Sequence, residues 1–253
     1  MVDGHIHINK APFSLDTIKE FIRVAKEKNI DTLYILDHTH KFKEFIPIYS
    51  HLDDYTKEVW FNKKEFISIY EYLDFIKLCK SVEWDIKLYF GLEVCYNKVI
   101  EKELKNILNS LPKFDFLIGS VHFVNGVGID INKEYFSKFD IDEMYLGYFN
   151  ELQNSIDSKL FDFIGHPDLI KLFGFVPSFD LKPFYERLAK SLKMNNQMTE
   201  NNSGLIRYGF PYPGLNKDLL DSLLKEDVKF HKSSDAHKAE DIGRVFDDLI
   251  DNL

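Results

Sequence analysis

At 253 residues, with 45% hydrophobic and 29% charged residues, the chain has ample material for a core and does not have the composition of a disordered protein. A formal net charge of −9 opposes wrapping around nucleic acid, which needs clustered Lys and Arg, although a local basic pocket stays compatible with it. The most apolar runs, DTLYILDH and FDFLIGSVHF, are short and interrupted by polar groups, so they do not read as membrane spans.

Short apolar runs alternate with amphipathic stretches, the pattern of βα units around a parallel sheet, and seven such units can be counted. The first predicted strand, Val2–His7, carries D-G-H-I-H. Residues i and i+2 of a strand point to the same side, so His5 and His7 can aim at one point. Alone, an H-x-H pair is more often incidental than a metal site. The next predicted element is a helix with Ser14 as N-cap, an apolar face of Leu15, Ile18, Ile22 and Ala25, and Lys26, Lys28 and Asn29 at its end.

The second strand, Asp31–Asp37, leads to His38. The segment from about His40 to Lys64, HKFKEFIPIYSHLDDYTKEVWFNKK, is longer than a βα loop needs; it either serves a site or covers a barrel mouth with its aromatics. The third strand, Ile86–Glu93, ends on Glu93, with Cys95 either facing the same side or buried as a small apolar residue. The fourth, Phe114–His122, ends on His122. The G-V-G near Gly126 lacks the spacing of a dinucleotide loop and no Walker-type G-K-[ST] occurs, so no nucleotide cofactor is indicated.

A helix is predicted from Asp140 to Ser158, with Ile141, Met144, Tyr145, Tyr148, Leu152 and Ile156 at spacings of three and four. The fifth strand, Phe161–His166, is followed by Asp168 and Lys171. The sixth, Asn196–Asn201, leads into ENNSGLIRYGFPYPG, where Arg207 can clamp a phosphate from a Gly- and Pro-rich loop or stand as a surface arginine. The seventh, Val228–Ser233, precedes Ser234, Asp235 and His237. With no Pro- or Ser-rich linker and no sequence repeat, one domain over residues 1–253 is expected. Two cysteines, Cys79 and Cys95, and no secretory apolar region point to a reducing cytoplasm without a structural disulfide.

His5, His7, His38, Glu93, His122, His166, Asp235 and His237 all fall at or just past the C-terminal ends of predicted strands. In a parallel barrel those ends share one rim, where active sites assemble from residues distant in sequence. Imidazoles with a few carboxylates suit zinc, manganese or iron, whereas calcium would want nearly all oxygen. Eight candidates exceed the needs of one catalytic ion, so two or three divalent ions are expected, with Glu93 and Asp235 as bridges. Three ions less two carboxylates and a hydroxide leave an excess charge of about +3, which favours a dianionic phosphate substrate. Asp3, Asp37 and Asp168, each near a candidate histidine, are expected either to orient a ligand ring or to solvate a strand end. His51 and His231 read as surface or core histidines.

Six motifs in order, D-G-H-I-H at Asp3 to His7, D-H-T-H at Asp37 to His40, G-L-E at Gly91 to Glu93, S-V-H at Ser120 to His122, G-H-P-D at Gly165 to Asp168 and S-D-A-H at Ser234 to His237, together resemble the PHP (polymerase and histidinol phosphatase) superfamily, in its histidinol-phosphatase branch. The resemblance implies a distorted (β/α)7 barrel with a trinuclear site on those same eight residues. It implies hydrolysis of L-histidinol phosphate to L-histidinol and phosphate, a step of histidine biosynthesis. It also implies substrate contacts from His40, Lys171, Arg207 and Ser234. Two positions depart from the family pattern: Asp37 stands where many relatives carry Glu, and Lys171 where an arginine is expected.

The mechanism expected from this reading is in-line attack on phosphorus by a metal-bridging hydroxide, with Arg207 neutralising phosphoryl oxygens and a metal-bound water, Asp37 or His40 protonating the leaving alcohol. The partner is then a small phosphorylated molecule, not nucleic acid or membrane, and the protein a monomer or homodimer. Alternatives are another PHP phosphoesterase, acting on a different small ester or on phosphotyrosine, an amidohydrolase-type metal hydrolase, and a non-enzymatic metal-stabilised module.

Overall fold

All seven predicted strand segments pair into one parallel sheet in a computed structural model, which describes residues 1–253. The strands are β1 Val2–His7, β2 Thr32–His38, β3 Lys87–Cys95, β4 Phe116–Ser120, β7 Phe163–Ile164, β8 Met198–Asn202 and β9 Phe230–Ser233, in the order β1-β2-β3-β4-β7-β8-β9. Between β4 and β7 a small antiparallel pair, β5 Phe123–Val124 and β6 Val127–Gly128, stands apart. The ring nearly closes: after β9 a single bridge joins Ile6 to Ala236, and His7 N donates to Ala236 O at 2.7 Å. The fold is a (β/α)7 barrel.

The helices are α1 Leu15–Glu27, α2 Asp54–Val59, α3 Ile69–Lys80, α4 Glu101–Ser110, α5 Lys133–Phe136, α6 Ile141–Ser158, α7 Lys182–Met194 and α8 Lys217–Lys225. Local chemistry explains their limits. Ser14 caps α1 by accepting from Thr17 N at 3.2 Å, and Asn29 just past its end adopts the left-handed region. Asp140 caps α6 by accepting from Glu143 N at 3.0 Å, and Lys159, left-handed at φ 55°, ends it. The 40–64 excursion is not a bare loop: it winds through 3-10 turns, α2 and another 3-10 turn, burying Phe42, Phe45, Ile48 and Tyr49.

Four strands, β4, β7, β8 and β9, are shorter than their apolar runs predict, and for two of them the backbone shows why. β7 stops at Ile164 because His166 takes a positive φ of 23° and Pro167 has no N–H to donate to a ladder. Asn196 is left-handed at φ 51°, so β8 begins only at Met198.

A continuous core of 57 buried residues packs the helices against the sheet. A separate cluster, Leu36, Phe116, Ile118 and Phe163 with Tyr34 and Met198 against it, shares strand parity with His38 and so floors the barrel interior beneath the rim. The β1/β2 register slips between Asp3 and Ile6, a bulge of the kind that re-aims side chains beside functional sites. Gly4 lies in that slip, where a Cβ would stand 2.0 Å from the ring of His231 on β9, so the close approach of β1 to that side chain requires glycine there.

Candidate metal centre

The strand ends deliver all eight rim residues to one point. His5 and His7 face each other with their Nε2 atoms 3.0 Å apart. Glu93, opposite His38 in the β2/β3 register, sits among five imidazoles. Its Oε1 is 2.9 Å from both His122 Nε2 and His166 Nε2, and its Oε2 is 2.7 Å from His38 Nδ1, 3.4 Å from His7 Nε2 and 3.5 Å from His5 Nε2. Asp235 Oδ1 is 3.1 Å from His7 Nε2 and 3.4 Å from His237 Nε2. Three groups emerge that could each hold an ion: His5, His7 and Asp235; Glu93, His122 and His166; His7, His38 and His237.

Two of these residues stand on strained backbone, His166 at φ 23° and Asp235 at φ 51°. Such conformations persist only where the surroundings fix them, and they gather at functional sites. His166 is held from both sides, its N–H donating to Glu200 Oε1 at 2.7 Å and its carbonyl accepting from Tyr148 Oη at 3.2 Å.

Burial works against charge throughout the cluster, and the neighbours decide which groups carry it. Burial would push the Glu93 carboxyl up, but His38, His122 and His166 outweigh it and hold Glu93 well below the usual carboxylate range. Asp235 is likewise held well below that range against burial, by Arg207, His237 and His7. Burial together with His38 and His237 keeps His7 well below the ordinary histidine value, a neutral imidazole with a free lone pair.

Hydrogen bonding among these side chains does not satisfy them. Glu93 Oε2 and His38 Nδ1 approach to 2.7 Å without hydrogen-bond alignment, and both are buried without another partner. Lone pairs converging in this way are satisfied by a cation, and six imidazoles with two carboxylates form a donor set that fits zinc, manganese or iron. The residues present therefore fit divalent metal.

The groups that orient the rings are not those expected from local spacing. Asp3 accepts from the backbone N–H of Ser234 and Gly243, both at 2.9 Å, tying β1 to the segments after β9. Asp37 accepts from His38 N and Lys41 Nζ, and Asp168 from Lys171 Nζ and Asn216 N. None of the three bonds to an imidazole ring. Instead Glu200 contacts His5 Nδ1 at 3.1 Å, Asp130 contacts His122 Nδ1 at 2.8 Å, and Asn9 Oδ1 accepts from His237 Nδ1 at 2.9 Å. Glu200 left one trace in the sequence, an acid at an alternating position within a predicted strand; Asp130 and Asn9 left none. His231 is a core histidine, packed against Tyr34 and Phe163, and His51 donates Nδ1–H to the Ile48 carbonyl.

Above the cluster opens a cavity of about 320 Å³. Arg207 and His40 line it, with His40 stacked on His38 at 4.4 Å between centroids. The 40–64 excursion adds Trp60 and Lys64, and the Lys64 ammonium lies 4.5 Å over the Trp60 ring. Cys95 lines the same wall and is also buried. Three other expected contacts are not in the lining. Lys171 is turned away, its Nζ 2.6 Å from Asp168 Oδ2 and 2.7 Å from the Gly214 carbonyl, because the loop after β8 offers it a carbonyl and two aromatic rings, Phe210 and Tyr212. Ser234 is buried and accepts from Ala236 N through its hydroxyl. Asp37 is buried beside Lys41.

A parallel seven-stranded barrel with a histidine-rich, carboxylate-centred cluster at the C-terminal ends of its strands defines a class, the barrel proteins with a candidate multinuclear metal centre at the rim. The profile of the PHP domain family matches residues 3–205, and the chain belongs to that family. Asp235 and His237 lie past the matched span, yet the fold returns them to His7. The chain is 24% identical to a probable histidinol-phosphatase of Deinococcus radiodurans over 265 positions, covering 100% of this chain and 92% of that protein. It is 26% identical to a probable histidinol-phosphatase of Schizosaccharomyces pombe over 188 positions, 68% of this chain and 61% of that protein. The crystal structure of a Listeria monocytogenes chain, provisionally named histidinol phosphatase HisK, superposes with a TM-score of 0.79 at 22% identity, covering 99% of this chain and 100% of that one. That of the Lactococcus lactis histidinol phosphate phosphatase, complexed with zinc, L-histidinol and phosphate, gives 0.67 at 18% identity, over 94% and 86%. No helix of the chain is long and apolar enough to cross a membrane.

Proposed function

We propose that the protein is a metal-dependent phosphomonoester hydrolase whose substrate is L-histidinol phosphate, with His5, His7, His38, Glu93, His122, His166, Asp235 and His237 holding two or three divalent ions. The observation that carries this reading is Glu93: one buried carboxylate, kept ionised, presents both oxygens to imidazoles from four strand ends. The names of the two sequence relatives, and the zinc, L-histidinol and phosphate held by the Lactococcus lactis protein, support the substrate assignment.

Bound divalent ions supply Lewis acidity and lower the pKa of water at neutral pH. The residues of the chain do the rest. Arg207, anchored to the Asp235 backbone carbonyl through one guanidinium nitrogen and 3.5 Å from the Asp235 carboxylate through another, presents a fixed planar cation to phosphoryl oxygens. Lys64 makes no ion pair and brings a second positive charge, resting on the Trp60 ring, to the cavity wall. Water gives up a proton to solvent as it attacks phosphorus in line, the ester P–O bond breaks, and the leaving alkoxide takes a proton from solvent in the open cavity, so that no net proton is gained or lost. His40 is suited to orienting the substrate rather than to proton donation, since burial and the nearby His38 and Lys64 hold its pKa well below the ordinary histidine value. Asp37, buried beside Lys41, is not positioned as the acid.

The test is phosphate release by metal-loaded protein from a panel of histidinol phosphate, a phosphotyrosine peptide and a small sugar phosphate. Preference for histidinol phosphate by at least tenfold in kcat/KM supports the assignment. Preference for another ester overturns the substrate while keeping the hydrolase, and ammonia release without phosphate overturns both. In oxygen-18 water, a single turnover should leave one label in phosphate and none in the alcohol.

A further inference from the structure

Glu200 lies on β8, a strand that contributes none of the eight candidate ligands, and its side chain is buried in the barrel interior. Its Oε2 and Oε1 are 3.1 and 3.2 Å from His5 Nδ1. Oε1 also accepts the His166 backbone N–H at 2.7 Å and the Asn202 side-chain N–H at 2.8 Å. The Asn202 amide is oriented for that role because its own oxygen accepts from Gly204 N at 2.6 Å.

An ionised carboxylate only accepts hydrogen bonds, so the proton of that contact sits on His5 Nδ1, and when the ring carries that one proton, as a metal ligand must, the Nε2 lone pair is directed toward His7 and Glu93. The same side chain holds the N–H of His166, whose φ of 23° needs an external anchor. One carboxylate thus orients the His5 ring in the group with His7 and Asp235 and restrains the backbone of a member of the group with Glu93 and His122. We infer that Glu200 is a positioning residue that fixes the His5 tautomer and the His166 backbone and so sets the metal affinity of both groups; this rests on the reading of His5 and His166 as metal ligands.

The discriminating variant is Glu200→Gln in the full-length chain. The amide keeps the shape, and its oxygen can retain the bonds to His166 N–H and Asn202. Its NH2 then takes the place of Oε2 and faces His5 Nδ1 at 3.1 Å while the amide oxygen stays at 3.2 Å, so the amide donor competes for Nδ1 and shifts the ring proton toward Nε2, where it blocks the lone pair that points at the centre.

Two measurements follow. Nitrogen-15 NMR of the imidazoles in metal-free protein, at a pH high enough that His5 carries one proton despite Glu200 and Glu93, should show that proton on Nδ1 in the native chain and on Nε2 in the variant. Zinc titration against a competing chelator should show at least one zinc bound about 10- to 100-fold more weakly in the variant, the usual cost of losing such an outer partner. Retention of the Nδ1 proton in the variant overturns the inference. A relocated proton with unchanged zinc affinity overturns the role in metal binding. If the native chain itself takes up no zinc, the ligand reading fails, while the NMR measurement still decides whether Glu200 controls the ring. Should Glu200→Gln not fold, Glu200→Asp keeps the charge and should keep the Nδ1 proton while its shorter reach weakens zinc binding; zinc affinity equal to the native chain's overturns the inference.

Discussion

Glu93 Oε1 lies 2.9 Å from His166 Nε2, joining the end of β3 to the strained turn after β7 across 73 residues of sequence. A carboxylate shared in this way can join neighbouring ions, so under the proposed function its replacement should cost more than one ligand. Glu93→Gln keeps the volume and removes the charge. It should lower phosphate release by about 10³-fold, the upper range for losing one preorganised electrostatic group, and reduce zinc per chain measured by elemental analysis. Full metal content with native turnover would sink the shared-ligand reading.

Arg207 is fixed by Asp235, whereas Lys64 is held only by the Trp60 face. Arg207→Met should lower kcat/KM for a phosphomonoester by about 10- to 100-fold, consistent with the loss of a charge-assisted bidentate contact. Lys64→Met should cost about threefold, mainly in KM, as expected for a point charge at the wall. Steady-state kinetics at several salt concentrations would check both, and an equal effect of the two substitutions would count against the ranking.

Lys171 predicts the reverse pattern. Its ammonium joins Asp168 to the Gly214 carbonyl, fastening the loop after β8 to the turn after β7. Lys171→Met should lower stability by about 2 kcal/mol, the scale of hydrogen bonds to a charged group, and leave KM within about twofold. Urea unfolding beside the kinetics would decide it: a large KM effect at unchanged stability would return Lys171 to the substrate.

Gly204 adjoins Asp235 so closely that an added Cβ would lie 2.5 Å from Asp235 Oδ2 and 2.9 Å from Asn202 Oδ1. Gly204→Ala should therefore displace the carboxylate and weaken zinc binding by at least tenfold in a chelator competition, about 1.4 kcal/mol. Native zinc affinity in this variant would argue against Asp235 as a ligand.

Burial pushes the Cys95 thiol up to about 11 and the Cys79 thiol up to about 12. Both side chains are free and buried, and the reactive thiolate is scarce below those values. At pH 8 a thiol reagent should label neither in the native protein and both after denaturation. Fast labelling of native Cys95 would show that the cavity wall opens.

Seven apolar runs alternating with capped amphipathic helices specify a parallel βα series, with Ser14 and Asp140 marking helix starts by chemistry local to each, while closure into a (β/α)7 barrel is what the motif resemblance implied. The sequence by itself also placed the eight rim residues, because strand parity and strand ends are local properties. Tertiary structure decided what those residues touch. Asp3, Asp37 and Asp168, close to histidines in sequence, bind backbone groups and lysines, while His5 is oriented by Glu200, 195 residues away. Lys171, Ser234 and Asp37 fall outside the cavity lining, and Lys64 and Trp60 enter it from an excursion whose path no periodicity specifies. The physical reason is common to all of these. Periodicity and capping act within a few residues and leave a pattern, whereas a hydrogen bond across the barrel depends on the ring closing and on which loop then lies nearest, and it leaves none.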